Sequence, residues 1–388
     1  MSDLAPSPET VAQLSRLIGF DTTTRGPNLD LIGWAAERLE GAGARLRYDY
    51  SPDRSKANLL ATFGEGPGGV VLSGHTDVVS VAGQDWTTDP FTADIRDGRL
   101  YGRGACDMKA FLAVVLAKAE RFGQTTLREP IHCALTYDEE VGCLGVPGLL
   151  RDMQSAGIKP SGCIVGEPTN MRVIDAHKGG RIYRCCVTGI AAHSSLTPHG
   201  VNAIEYAARM IAHIQQLAEH EEIDGIRDEG YDVPFSTIST NMIQGGIGMN
   251  IIPAQCEFHF DYRYLPGVSP DHFIGKIERF AQEQVLPRMQ AKNPKAAIRF
   301  ECVGQVPALN ARETDDILRL AVALAGNGER GKVAYGTEGS FFQEIGIPAI
   351  VCGPGSINQA HQPDEYVELE QLALCERFID RLVDKLAA

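Results

Sequence analysis

The stretch GGVVLSGHTDVV (68–79) joins an apolar, β-branched run to a polar cluster at its carboxyl end, and that pattern recurs along the chain. A short valine-rich run bounded by glycine reads as a strand of a sheet buried on both faces. Met108 to Phe122 (MKAFLAVVLAKAERF) then has the length and composition of a buried helix. IHCALTYDEE (131–140) is a second strand, followed by a glycine-rich turn and a helix containing GLLRDMQSAG. GCIVGEPT (162–169) and PAIVCGPGS (348–356) read as a third and a fourth strand. Such alternation predicts an α/β fold, with a mostly parallel sheet covered by helices on both faces.

The middle of the chain reads differently. RIYRCCVTGIAAHSS (181–195) is a strand and VNAIEYAARMIAHIQQLAEH (201–220) a helix. STISTNMIQGGIGMNIIP (236–253) and AQCEFHFDYRYLPG (254–267) look like paired strands; a second helix and a strand at AAIRFECV (296–303) follow. Strand–helix–strand–strand–helix–strand is the order of a ferredoxin-like sandwich. The expected organisation is a catalytic domain at 1–179 and 306–388, with an inserted lid domain at 180–305. Lys178-Gly179-Gly180 reads as the hinge into the insert, since glycine tolerates the φ values of a crossover.

Composition narrows the function classes. The 388 residues suffice for two or three domains at roughly 100–200 residues each. With 44% hydrophobic and 22% charged residues, the chain is neither disordered nor fibrous. A net charge of −14 argues against a broad nucleic-acid or acidic-membrane surface. No run approaches about 18 consecutive apolar residues, so no membrane span is expected. The amino-terminal MSDLAPSPETVAQLSRLIGF lacks a basic leader before an apolar stretch, so no secretory signal is read there. The ten cysteines form no CxxC and read as reduced, mostly buried thiols, which makes the cytoplasm the expected compartment.

Polar clusters stand where the strands end: His75-Thr76-Asp77, Cys106-Asp107-Met108-Lys109, Asp138-Glu139-Glu140, Gly166-Glu167-Pro168 and the late Ala360-His361-Gln362. Ligand sites of open α/β sheets gather outside the carboxyl ends of strands, so residues far apart in sequence can converge there. His75, Asp107, Glu140, Glu167 and His361 supply two imidazoles and three carboxylates, a donor set suited to divalent ions such as zinc. Three carboxylates are too many for one ion, but the count is sensible if one of them bridges two. Such a pair of ions polarises a carbonyl and makes hydroxide near neutral pH. Asp77, two residues from His75 and on the same face if the strand persists, is placed to hold the second imidazole nitrogen. Glu139, beside the ligand Glu140, is the candidate general base. Each residue also has a plainer reading: Asp107 as a helix cap, Glu139–Glu140 as a solvated pair, His361 as a surface residue. Their repeated placement after apolar strands favours the metal site.

SGHTDVV, GRGACDMK, TYDEEVG and IVGEPT, with the late HQPDEY, resemble the motifs of the aminoacylase/carboxypeptidase family of two-zinc metallohydrolases over nearly the whole chain. The resemblance implies that Asp107 bridges two divalent ions, Zn2+ or a substituting Co2+. His75 and Glu167 would complete one site, and Glu140 and His361 the other. It implies Glu139 as general base, Asp77 orienting His75, and His193 of AAHSS stabilising the oxyanion, in dimeric relatives at the partner subunit's site. Asn250 and Arg263 match substrate-binding positions, with Arg263 a natural fork for a carboxylate. A homodimer through the insert and a small N-acyl amino acid substrate follow from the same resemblance. The metal set does not choose among the deacylases, desuccinylases and dipeptidases of such a family. Two departures stand out: Ala110 after Asp-Met-Lys, and GTEGSFF (336–342), where Glu338 meets a substrate ammonium or serves structure. The lid residues keep structural alternatives too: His193 as a helix cap, Arg263 in a surface ion pair, Asn250 in a turn. An inert metal-stabilised binding protein is the rival class, and Glu139 speaks against it.

Overall fold

The computed structural model describes residues 4–388, so only the first three residues of the amino-terminal stretch lie outside the description. The chain divides into two compact units, one made of residues to Ala176 with Leu309–Lys332 and Thr337–Ala388, the other of His177–Ala308 with Val333–Gly336. The short return at 333–336 has no counterpart in the sequence reading.

In the first unit the strands Ile131–Thr136, Val70–His75, Gly162–Pro168 and Ala349–Gly353 lie side by side in that order, all parallel. These are the four runs read as strands, and every residue in them is buried. The sheet as a whole is mixed. Ala57–Phe63 and Arg45–Tyr50 extend one side antiparallel, and Val173–His177 adds antiparallel at the other. The sequence reading missed these flanks.

Alternation across the strands seats helices on both faces. Gly74 and Gly166 face the helix Lys109–Ala117, because a Cβ at Gly74 would stand 2.6 Å from Met108 and one at Gly166 1.9 Å from the Phe111 ring. Ser73 points the other way, to the start of the helix Gly339–Glu344. The helix expected at 108–122 runs as Lys109–Ala117 and Ala119–Gln124, interrupted at Lys118. Its first segment is buried on every side, packed against Pro8–Ile18 and the carboxyl-terminal helix Leu369–Leu386 as well as the sheet.

The second unit is a four-stranded antiparallel sheet in the order Thr237–Gly245, Gln255–Tyr264, Gly179–Thr188, Ala297–Val306. Cys256, Phe258, Phe260, Tyr262 and Tyr264 alternate inward under the helix Ala203–Asp224, as period-two patterning requires. The strand order and the two helices are those of a ferredoxin-like sandwich. Gly179 and Gly180 do not turn the chain: both lie in extended strand, and a Cβ at Gly179 would stand 2.1 Å from the Tyr264 ring. Close packing, not a left-handed φ, requires glycine at 179.

Candidate metal centre

The two glycines that admit the Lys109–Ala117 helix immediately precede His75 and Glu167. That packing carries Asp107, at the foot of the helix, against both strand ends. Asp107 does not cap the helix, since the cap position is Met108 and no side chain bonds there. Its two oxygens are divided instead. Oδ1 stands 3.0 Å from His75 Nε2, and Oδ2 stands 3.3 Å from His361 Nε2. Glu167 Oε1 is 3.6 Å from His75 Nε2, and Glu140 Oε2 is 3.1 Å from His361 Nε2. Five residues read from five separate stretches are thereby brought together around one carboxylate.

The tautomer of His75 is set by its neighbour in an unexpected way. The strand ends at His75, so Asp77 is not a strand residue on the same face. His75 Nδ1 donates to the Asp77 backbone carbonyl at 2.9 Å, while the Asp77 carboxylate lies 3.6 Å away. That leaves Nε2 facing Asp107 and Glu167, the orientation a ligand needs. The Asp77 carboxylate accepts instead from the backbone N–H of Glu139 at 3.0 Å and of Glu140 at 3.2 Å. It therefore places the acidic pair, while the Asp77 main chain makes the direct hydrogen bond to the imidazole.

The expected strand 131–140 stops at Thr136. Asp138 takes a left-handed φ of 54° and pairs with Lys56, which turns the loop so that Glu139 and Glu140 both reach the centre. Glu139 Oε1 accepts from the Cys143 thiol at 3.3 Å. Ligand atoms of His75, Glu139 and Glu167, and again of His75, Asp107 and Glu140, lie within 4.8 Å of one another.

This crowding leaves its mark on protonation. Burial, reinforced by Glu140 and Asp107, pushes the Glu139 carboxyl up to about 8. Burial and Asp107 push up Glu167 and Glu140 in the same way. Burial opposes charge on His75, yet its hydrogen bond to Asp107 and the nearby carboxylates hold it well above its ordinary value. Hydrogen bonds to Asp107 and Glu140 raise His361 to about 10. Burial also works against ionised Asp107, but the hydrogen bonds from His361 and His75 keep it below the usual carboxylate range. Glu140 Oε1 is buried with no hydrogen-bond partner. Acceptors packed this densely, one of them orphaned, suit divalent cations: each oxygen and imidazole gains a partner, and the excess negative charge is neutralised.

The remaining predicted residues lie elsewhere. Glu338 is wholly buried on the opposite face of the sheet from the Lys109–Ala117 helix; its carboxylate accepts from the hydroxyls of Ser73 at 2.6 Å and Thr136 at 2.7 Å. Of its two readings, the structural one matches those surroundings. In the second unit, His193 Nδ1 accepts from the Ser195 N–H at 3.2 Å, so it does cap the short turn that follows, leaving Nε2 free. Asn250 is exposed, its carbonyl accepting from the Ser194 N–H at 2.9 Å, which seats it beside His193. Arg263 pairs with Asp261 through two nitrogens, each at 3.0 Å. Cys106 is packed, its thiol donating to the Ser356 carbonyl at 3.2 Å.

Sequence reasoning passed over Glu365, the second acid of HQPDEY. It is buried, and its carboxylate accepts from the backbone N–H groups of Gly104, Cys106 and Asp107 at 3.0, 2.8 and 3.0 Å. An acid two residues after a proline in a loop carries no periodic signal. Only the folded loop shows what it holds.

The chain is similar to known proteins along nearly its whole length. Residues 71–385 match the model of peptidase family M20/M25/M40. The chain is 35% identical to acetylornithine deacetylase of Myxococcus xanthus, over 99% of its own length and 98% of that protein's. A tripeptidase from Staphylococcus aureus shares the fold at a TM-score of 0.79 and 19% identity, with 99% of each chain covered. A dinuclear metal binding M20 peptidase from Bacillus subtilis does so at 0.68 and 15%, with 97% of each covered. On the family match and the full-length relative together, the chain belongs to peptidase family M20/M25/M40.

Proposed function

We propose that this hydrolase of the M20 family removes the acetyl group from N2-acetyl-L-ornithine, releasing ornithine and acetate in arginine biosynthesis. The observation that carries the chemistry is the division of the Asp107 carboxylate between His75 and His361, each imidazole with a further carboxylate beside it. The substrate rests on the full-length similarity to acetylornithine deacetylase. Zn2+ suits two imidazoles with carboxylates, and Co2+ can take its place. His75 and Glu167 would hold one ion, Glu140 and His361 the other, with Asp107 shared.

Bound there, two divalent ions would polarise the substrate carbonyl and make a water acidic enough to yield the attacking hydroxide near neutral pH. Glu139 accepts the proton of that water and returns it to the leaving amine; its burial and its amide anchor on Asp77 keep it aimed. His193, with Nδ1 occupied as an acceptor, carries its proton at Nε2 and donates to the developing oxyanion. Arg263 offers its remaining guanidinium donors to the substrate carboxylate, and Asn250, beside His193, lends a further polar contact. No cysteine nucleophile is required.

A homodimer through the second unit is supported by the edge strand Thr237–Gly245 and the loop after it, where Met242, Ile243, Ile247 and Met249 are all more than half exposed. A cytoplasmic location accords with the biosynthetic role. No helix among the described residues is long and apolar enough to cross a membrane. The substrate assignment is tested by comparing kcat/KM for N2-acetyl-L-ornithine, N2-succinylated diamino acids, other N-acetyl amino acids and dipeptides. A preference of tenfold or more for acetylornithine is expected; an equal or better succinylated or dipeptide substrate overturns it.

A further inference from the structure

Asp107 and His361 lie on loops 254 positions apart, yet the site needs their side chains at a fixed spacing. The structure shows what joins those loops. Glu365 gathers three amides of the 104–107 loop, those of Gly104, Cys106 and Asp107, onto its carboxylate. Arg103 Nη1 donates to Glu365 Oε2 at 2.7 Å and to the Gln362 carbonyl at 3.3 Å, and Arg103, like Glu365, is only 1% exposed. Arg103 Nη2 also bonds Gln84 Oε1, which accepts from the Trp86 indole at 3.1 Å. The Gln84 amide in turn donates from Nε2 to the His361 carbonyl at 2.8 Å. A second tie joins the Gln84 loop to the His361 loop, Thr87 N–H to Asp364 Oδ1 at 2.9 Å. His361 itself sits at a φ of 63°, where a non-glycine residue is rare and needs support from its surroundings.

We infer that Glu365, Arg103 and Gln84 form a clamp that sets the spacing between Asp107 and His361, and that Gln84 is the positioning residue for His361. Glu365 fixes the Asp107 side of the gap and Gln84 the His361 side, with Arg103 as the rigid link. The consequence is selective. His75 and Glu167 are strand-end residues seated by the sheet, so the ion on their side is indifferent to Gln84. The ion between Glu140 and His361 depends on it, because His361 is half exposed and Gln84 holds the main chain from which its imidazole reaches Asp107 and Glu140. Residues that orient ligands in this way typically alter metal affinity by about 10–100-fold.

This inference rests on the two-ion reading of the centre, and the experiment separates the two. Metal-free wild type, Gln84→Ala and His361→Ala are titrated with Co2+, following visible absorption and bound stoichiometry, alongside the melting temperature of each metal-free protein. Wild type binds two ions, and His361→Ala identifies the step that belongs to its side. Gln84→Ala, a partly exposed position whose loss leaves the buried Arg103–Glu365 pair intact, weakens that step about tenfold or more and leaves the other step unchanged, while the metal-free melting temperature falls by only a few degrees as Arg103 Nη2 loses an acceptor. Two wild-type steps that are both unaltered in Gln84→Ala, or both weakened equally, overturn the clamp while leaving the two-ion site standing. Fewer than two ions on wild type overturn both. Glu365→Gln, which turns an amide N–H toward backbone N–H groups, weakens Co2+ binding further if it folds. Arg103→Lys, which cannot fork to both Gln84 and Glu365, lies between.

Discussion

Without bound ions the centre crowds the carboxyls of Asp107, Glu139, Glu140 and Glu167 together, and its cost is a stability that falls as pH rises. Glu139 is the most accessible probe. Burial and the neighbouring carboxylates move its carboxyl from 4.5 to about 8, a displacement that corresponds to on the order of 5 kcal/mol. The folded state binds the Glu139 proton more tightly than the unfolded chain. Its contribution is therefore fully present below about pH 4.5 and is lost as pH climbs to about 8. Other groups titrate along the way: burial holds Lys109 down at about 7, which acts in the opposite sense above that pH, and a chain of net charge −14 repels itself increasingly. Comparing wild type with Glu139→Gln cancels both, since only the titrating carboxyl is removed. In metal-free protein the two should unfold alike near pH 4.5, and Glu139→Gln should be the more stable by roughly 2–4 kcal/mol near pH 8.5. Saturating Zn2+ should abolish most of that difference, because the ions neutralise the charges Glu139 faces. Denaturant unfolding in chelator and in Zn2+ across pH 4.5–8.5 measures it. A metal-free difference that stays flat across that range would refute the charge-crowding argument.

Glu139→Gln should also lower kcat about 10²–10⁴-fold while both ions remain bound, read by steady-state turnover with metal analysis. His193→Ala should lower kcat about 10²–10³-fold and leave metal content and the metal-free melting temperature unaltered; loss of metal instead would mean that His193 does not act on the oxyanion. Gly166→Ala drives a methyl toward the Phe111 ring, 1.9 Å away, so the helix that positions Asp107 must retreat from the sheet. The expected cost is about 1–3 kcal/mol by denaturant unfolding, accompanied by weaker metal binding; an unchanged protein would contradict the packing account.

The sequence made legible what depends on residue type and period. The four apolar runs stood out because strands buried on both faces cannot hide their composition, and all four lie together at the centre of the sheet. Arg45–Tyr50 did not, because an edge strand of charged and exposed residues resembles a loop. Metal-ligand candidates were readable as polar residues ending those runs. What each carboxylate bonds was not readable, because that is decided by where strands stop. The Asp77 carboxylate bonds amides while its backbone carbonyl bonds the imidazole, since the chain leaves the sheet at His75. Glu338 faced two readings until burial beneath Ser73 and Thr136 set its surroundings. Glu365 and Gln84 carry no periodic signal; what they hold arises from loops that meet only in the folded chain.

The most direct test is ornithine release from N2-acetyl-L-ornithine by the purified protein, first stripped of metal and then restored with Zn2+ or Co2+. The account predicts negligible release by the stripped protein and rapid release on restoring either ion, with about two ions bound per chain. Release that persists without metal, or none with either ion, would contradict it.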